Sequence, residues 1–254
     1  MPRYTSHMSS RLRTLQIKAS TWYLSALEKR FKDWAIPRIP QSIQTYHLTL
    51  MTLPCILAAL IIGIQARQNI VWLHGLSFLV VVQYICDLLD GELGRRRETG
   101  LIRWGFYADH FLDYVFIGSI ITAYYLAVPQ AYQVHVFLMM VIVGGFFVST
   151  YLEHGATGKF VMAEYGFGPT EARLVFVIFN TFFAITGKIL LGKFVPFILA
   201  SLIAAVIINA YRKQRQLWKK DLSTHPDSTF SHPFQKAAII SLIIIIVYAV
   251  FAFL

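Results

Sequence analysis

The sequence predicts an all-α, polytopic membrane helix bundle: a six-helix core, a seventh C-terminal helix and an N-terminal amphipathic helix at the interface. Three observations predict it. Hydrophobic residues are 56% of the 254-residue chain and charged residues 14%, against about 25% charged in soluble domains; mean hydropathy is +0.56. Seven apolar runs approach the roughly 20 residues that cross a bilayer as a helix. The basic residues are distributed with a strong sidedness. A water-soluble globular domain and a disordered chain are excluded. The isoelectric point of about 9.7 reflects basic residues at a membrane rim, so no nucleic-acid partner is expected. Cys55 and Cys86 both lie in apolar runs and form neither a disulfide framework nor a zinc site.

The leader, residues 1–44, is polar and basic, so the first apolar run is not a cleavable signal peptide. Within it Leu24, Leu27, Phe31 and Trp34 fall at helical spacing with Lys29, Arg30, Lys32 and Asp33 between them. Ser20 or Thr21 could cap this helix and Pro37 ends it. Such a pattern suits a helix in the headgroup plane; docking on the protein itself is the alternative. The predicted spans are 45–66, 70–90, 104–127, 133–153, 172–189 and 193–211, with a break at Gly187–Lys193, and then 236–254. Residues 45–211 form the core domain and 212–235 a basic loop. With a cytoplasmic N-terminus, only Arg67, Lys188 and Lys193 of the 23 Lys and Arg lie outside. The end of the second span and the start of the third are thereby placed at the cytoplasmic face.

Four of the thirteen acidic residues cluster at that junction. Asp87 and Asp90 are i, i+3 near the end of the second span; Asp109 and Asp113 are i, i+4 near the start of the third. Each pair shares a helix face, and the short connection should make the two helices antiparallel neighbours with the pairs opposed. Charges in a membrane span face a partner or a wet cavity, and four repelling carboxylates need cations between them. All-oxygen ligands suit Mg²⁺, Mn²⁺ or Ca²⁺ rather than zinc. A helix C-terminus at Asp87 and Asp90 would favour positive charge too. Four carboxylates could hold two ions, an arrangement that clamps phosphate oxygens.

The connecting loop fits a phosphate ligand. Gly91 follows Asp90 and permits close backbone approach; Arg95, Arg96 and Arg97 offer guanidinium forks, although simple rim anchoring also accounts for the arginines. Gly105 leaves space four residues before Asp109.

Asp87-Leu-Leu-Asp90-Gly91-Glu-Leu-Gly94-Arg95, nine residues, then Gly105-Phe-Tyr-Ala-Asp109-His-Phe-Leu-Asp113 resembles the signature of the CDP-alcohol phosphotransferases. Seven of its eight fixed positions match; Gly94 stands where the family has Ala. The resemblance covers about a tenth of the chain. It implies a dimeric membrane enzyme with a six-helix catalytic core that moves a phospho-alcohol or phosphatidyl group from a CDP-linked donor to an alcohol, releasing CMP. It implies that Asp87, Asp90, Asp109 and Asp113 hold Mg²⁺ or Mn²⁺, two ions in all. Asp113 is also the family's candidate base, and Gly91 and Arg95 match its nucleotide and phosphate contacts.

Two features are similar to choline and ethanolamine phosphotransferases: His110 directly after Asp109, and Gly168-Pro169-Thr170-Glu171 preceded by Tyr151-Leu-Glu153-His154. Glu171 is a candidate substrate contact or a helix-N-terminal acid. His110 reaches the acceptor from the flank, while Asp113 points at the metals; both stand as proton acceptor. The sequence leans to a soluble CDP-amino-alcohol donor and a lipid hydroxyl acceptor, with a CDP-diacylglycerol-dependent phosphatidyltransferase as alternative and a divalent-cation transporter as the non-enzyme rival. The loop from Gly91 to Gly105, without a second acidic cluster deeper in the bundle, argues against the transporter. Gly144–Gly145 should let helices approach closely, and the run Arg212, Lys213, Arg215, Lys219 and Lys220 should anchor the sixth span and attract anionic lipid. Plasma membrane and endoplasmic reticulum both remain open.

Overall fold

The computed structural model describes residues 24–158, 169–224, 239–241, 243 and 244. Among the described residues there is no strand; the chain is a membrane helix bundle, and it is an integral membrane protein. Its helices are α1 (Ser25–Ala35), α2 (Thr45–Leu50), α3 (Thr52–Ala66), α4 (Leu73–Arg96), α5 (Ile102–Ala127), α6 (Gln133–Thr157), α7 (Pro169–Thr186) and α8 (Lys188–Thr224). Among the described residues, five segments are long and apolar enough to cross a bilayer: Thr45–Ala66, Ile70–Arg96, Ile102–Ala127, Gln130–Thr157 and Lys188–Thr224. Helix α7 occupies the fifth predicted span and packs against α4 and α8. It is shorter, and it carries Glu171, Arg173 and Asn180.

Each boundary has a local cause. Gly187, at φ 94°, ends α7 and separates it from α8; such a φ is open mainly to glycine. Helix α8 runs on past the expected span end at 211 to Thr224, so residues 212–224 are helix rather than loop. Of the seventh predicted span, 236–254, only residues 239–241, 243 and 244 are described, and they are helical. Ser20, Thr21 and Gly168 also lie outside the described residues; α1 begins after Leu24 without a side-chain cap. Pro37 lies in a 3₁₀ turn that follows α1, as its fixed φ and missing N–H dictate.

The bundle core is built on α3, α4, α5 and α7, with Ala59, Leu73, Leu76, Ala123 and Phe183 buried in it. The closest helix approach is at Gly63, where a Cβ would lie 2.5 Å from the Ala123 Cα. Small residues at such a crossing replace the hydrophobic drive that lipid abolishes. The expected contact at Gly144–Gly145 is looser: a Cβ on Gly144 would meet the Tyr114 hydroxyl at 3.3 Å, and one on Gly145 would meet nothing within 4 Å.

Helices α4 and α5 are the expected neighbours in sequence, yet they touch each other little; α3 packs against both. The aspartates lie toward the ends of α4 and α5 that follow one another in the chain.

The amphipathic helix α1 docks on the bundle. Ala35 and Ile36 are buried against Leu89 and Leu93 of α4, with Phe31 alongside. Glu28, 4% exposed, accepts from the Tyr84 hydroxyl at 3.1 Å and from the Thr170 hydroxyl. Leu27 and Trp34, seven residues apart and on one face, stay exposed. The apolar stripe read from the sequence therefore divides: Phe31 faces the protein, and Leu27 and Trp34 face outward, where an interfacial helix presents its apolar side.

Candidate active site

Asp87, Asp90 and Asp109 each bring a carboxylate oxygen to one point, the three oxygens lying within 4.8 Å of one another. Ligand distances of about 2.0–2.6 Å for Mg²⁺ or Ca²⁺ are compatible with that spread, and the donors are all hard oxygens. The residues present fit a divalent cation. Asp87 and Asp90 lie inside α4, which continues to Arg96, so the expected contribution of a helix C-terminal dipole is spent further along, near Arg95 and Arg96.

Asp90 is the most enclosed of the three, at 6% exposure. It is fixed from α2: Thr49 donates its hydroxyl to the Asp90 Oδ2 at 2.8 Å, and Thr45 donates to the Asp90 backbone carbonyl at 2.7 Å. The i, i+4 spacing of these threonines puts both on the α2 face that meets α4. Short hydroxyl side chains suit this place, because they satisfy a carboxylate without adding charge.

Asp113 stands apart from that trio. Gln83, one turn before Asp87 on α4, donates to the Asp113 Oδ1 at 2.6 Å. Arg173 reaches in from α7: its Nη2 donates to the Asp87 Oδ2 at 2.7 Å and lies 3.9 Å from the Asp113 Oδ2. The guanidinium also lies over the Tyr84 ring, 5.2 Å from its centroid. The four aspartates of the sequence motif thus divide into a trio and a single acid, bridged by an arginine.

His110 Nδ1 is 3.4 Å from Asp109 Oδ2. Its ring packs on Phe106 at 4.4 Å and near Tyr151 at 6.1 Å, centroid to centroid. Phe106, Tyr107 and Phe111 on the same helix are exposed, so this flank of the site is apolar.

The residues expected in the connecting loop lie mostly on helices, Gly91, Arg95 and Arg96 on α4 and Gly105 on α5, and they divide by what they touch. Arg95 is paired with Glu92 at 2.7 Å and its side chain is 56% exposed; it is within reach of a solution ligand. Arg96 bonds Glu92 at 2.9 Å and also Asp33. Arg97 donates to the Ile39 carbonyl at 2.7 Å and to Pro40 and Ile43, which ties the leader to α4. Arg97 is thereby an internal strut. A Cβ on Gly105 would meet nothing within 4 Å, and one on Gly91 would meet only the Arg95 Nη1 at 3.6 Å; both positions open onto space. Gly94, the departure from the motif, is tight: a Cβ there would lie 3.3 Å from the Thr45 Oγ1, the hydroxyl that holds the Asp90 carbonyl.

Glu171 is buried and accepts from the Leu24 backbone N–H at 3.0 Å, which fastens the start of α1. Lys213, read from sequence as a lipid-facing cation, is 7% exposed and pairs with Glu153 at 2.8 Å, joining α8 to α6.

Arg173, Gln83, Thr45 and Thr49 were not singled out by sequence reasoning. The available signal was polarity within apolar runs, which marks residues facing the bundle interior.

No curated protein and no solved structure matched the chain. A family model did: residues 39–253 match CDP-alcohol phosphatidyltransferase, a family of transferases acting on substituted phosphate groups, and this removes the transporter reading. Match and aspartate cluster together establish that the chain belongs to the CDP-alcohol phosphatidyltransferase family.

Proposed function

We propose that the protein transfers a phospho-amino-alcohol group from a soluble CDP-linked donor to the hydroxyl of a lipid alcohol, with release of CMP. The family supplies the coarser statement: a phosphatidyl or phospho-alcohol group leaves a CDP donor for an alcohol. The observation that favours the finer one is His110, against Asp109 on the apolar, exposed flank of the site. An acceptor hydroxyl carried by a lipid would arrive from that side.

The acceptor oxygen attacks the β-phosphorus in line. An O–P bond forms there, the bridging P–O bond breaks, and CMP departs with its electron pair. The acceptor proton passes to His110 or Asp113. Asp87, Asp90 and Asp109 would hold a divalent cation, Mg²⁺ or Mn²⁺, which would supply charge neutralisation for the diphosphate. Arg95, exposed in the last turn of α4, meets the phosphates as they enter. Thr49 and Gln83 hold Asp90 and Asp113 in place, which is how ligands are kept in productive orientation. The basic residues around this end of the bundle support a site at the cytoplasmic face, and the family habit supports a homodimer. The alternative is a CDP-diacylglycerol donor with a soluble alcohol as acceptor.

Purified protein supplied with CDP-choline, CDP-ethanolamine or CDP-diacylglycerol, each with lipid and soluble acceptors, tests the proposal. CMP release with a CDP-amino-alcohol and a lipid alcohol, and a lipid product of matching mass, is the expected result. Turnover only with CDP-diacylglycerol would favour the alternative.

A further inference from the structure

Asp87, Asp90, Asp109 and Asp113 bring four carboxylates to the junction, and Arg173 brings one guanidinium against two of them, 2.7 Å from Asp87 and 3.9 Å from Asp113. Arg95 and Arg96 pair with the two acids Glu92 and Asp33. We infer that Arg173 is a built-in counter-cation that stands in for a second metal ion, so that the site without nucleotide holds one divalent ion and takes a second only with the anionic donor. The inference rests on the transferase reading for its donor, but not for its ion count.

The charge balance carries it. One divalent ion on Asp87, Asp90 and Asp109 leaves one net negative charge after Arg173 is counted. A second divalent ion makes the site positive in a low-dielectric setting, where like charges repel strongly. The diphosphate of the donor reverses that sign. The geometry agrees: Asp113, which would be needed for a second ion, is engaged by Gln83 at 2.6 Å and faces the guanidinium. Arg173 is itself held, its plane over the Tyr84 ring, and Tyr84 is fixed by Glu28 of the docked leader. A planar, permanently charged group suits this bridging place better than a lysine ammonium.

The test counts Mn²⁺ bound to the purified full-length protein by electron paramagnetic resonance, first without nucleotide and then with CDP. The wild type is expected to bind one ion alone and a second with CDP. Arg173→Gln is expected to bind the second ion without CDP, with at least a tenfold gain in affinity; Arg173→Lys keeps the charge and stays with one. Two ions in the wild type without nucleotide, or one ion in Arg173→Gln, overturns the inference. If Arg173→Gln loses even the first ion, the wild type decides: one ion alone and two with CDP sustains the inference, and any other count overturns it. CMP release from CDP-linked donors is read separately on the same preparation. Its failure would count against the substrate reading, whereas the ion count needs no turnover.

Discussion

Two of the polar clusters among the described residues, one around Asn180 and one at the aspartate junction, are built in opposite ways. Around Asn180 every group is neutral and paired. Its Nδ2 donates to the Leu73 carbonyl at 2.6 Å and to the Ser77 hydroxyl at 2.7 Å, and its Oδ1 accepts from the Tyr124 hydroxyl. Asn180 is fully buried, and its bonds tie α7 to α4 and α5. The aspartate junction has four acids and, among the described residues, Arg173 as the cation bonded to them. Three of its carboxylates bring oxygens within 4.8 Å of one another, with one guanidinium bonded to Asp87 and one hydroxyl to Asp90. Intramembrane polarity alone does not mark function: the closed cluster is a fastener. The open one keeps an unbalanced charge, which is costly unless something binds.

The comparison breaks most visibly if the acids are neutralised. Asp87→Asn, Asp90→Asn and Asp109→Asn should each lose divalent-ion binding, and turnover should fall on the order of 10³-fold, since a bound metal contributes several kcal/mol of charge stabilisation. Thermal unfolding in detergent should be unchanged or shifted upward for Asp90→Asn and Asp109→Asn, because one repelling charge is gone, and lowered for Asp87→Asn, which breaks the Arg173 ion pair. Full activity in any of the three would remove that residue from the site.

Thr49→Val is expected to act through Asp90. Losing the 2.8 Å hydroxyl bond should cost about 10–100-fold in metal affinity or activity, the usual range for a group that orients a ligand. Mn²⁺ titration of the variant measures this; an unchanged affinity would mean Asp90 needs no such support.

Asn180→Leu sharpens the other side. It removes the Asn180 partner of the Ser77 and Tyr124 hydroxyls and one bond to the Leu73 carbonyl, at a cost of about 1–3 kcal/mol in stability. Turnover of the folded fraction should stay at the wild-type value. A selective loss of turnover, with the unfolding temperature intact, would make the Asn180 cluster part of the site after all.

The smallest effect belongs to Gly94→Ala, which restores the family's residue. Helix propensity favours the change by about 1 kcal/mol, and the 3.3 Å approach to Thr45 opposes it. Turnover should move by less than roughly tenfold. A larger loss would show that the Thr45 bond to Asp90 sets the site more tightly than its neighbours suggest.

The aspartates and five of the seven expected spans were legible in the sequence because both are local patterns: i, i+3 and i, i+4 spacing, and runs of apolar residues. Arg173 was not. Its sequence signal is one basic residue near a helix start, indistinguishable from a rim anchor, and its partner Asp87 lies on another helix. Gln83 and Thr49 each read as single polar residues in apolar runs, and only the fold shows which acid each one holds. Lys213 read as a surface cation for the same reason: its burial against Glu153 depends on α8 continuing beyond the apolar run. The leader's amphipathic pattern was visible, but which face meets protein was not, since Glu28 looks like part of the solvated face until Tyr84 and Thr170 are placed around it.

The central claim is that the aspartate trio holds the divalent ion that serves CDP chemistry. CMP release, followed while Mg²⁺ is titrated into chelator-stripped wild-type protein and into Asp109→Asn, tests it most directly. The account predicts no release without the ion, saturable recovery in the wild type, and none in the variant at any Mg²⁺ level. Undiminished release from the stripped protein, or full recovery in Asp109→Asn, would contradict it.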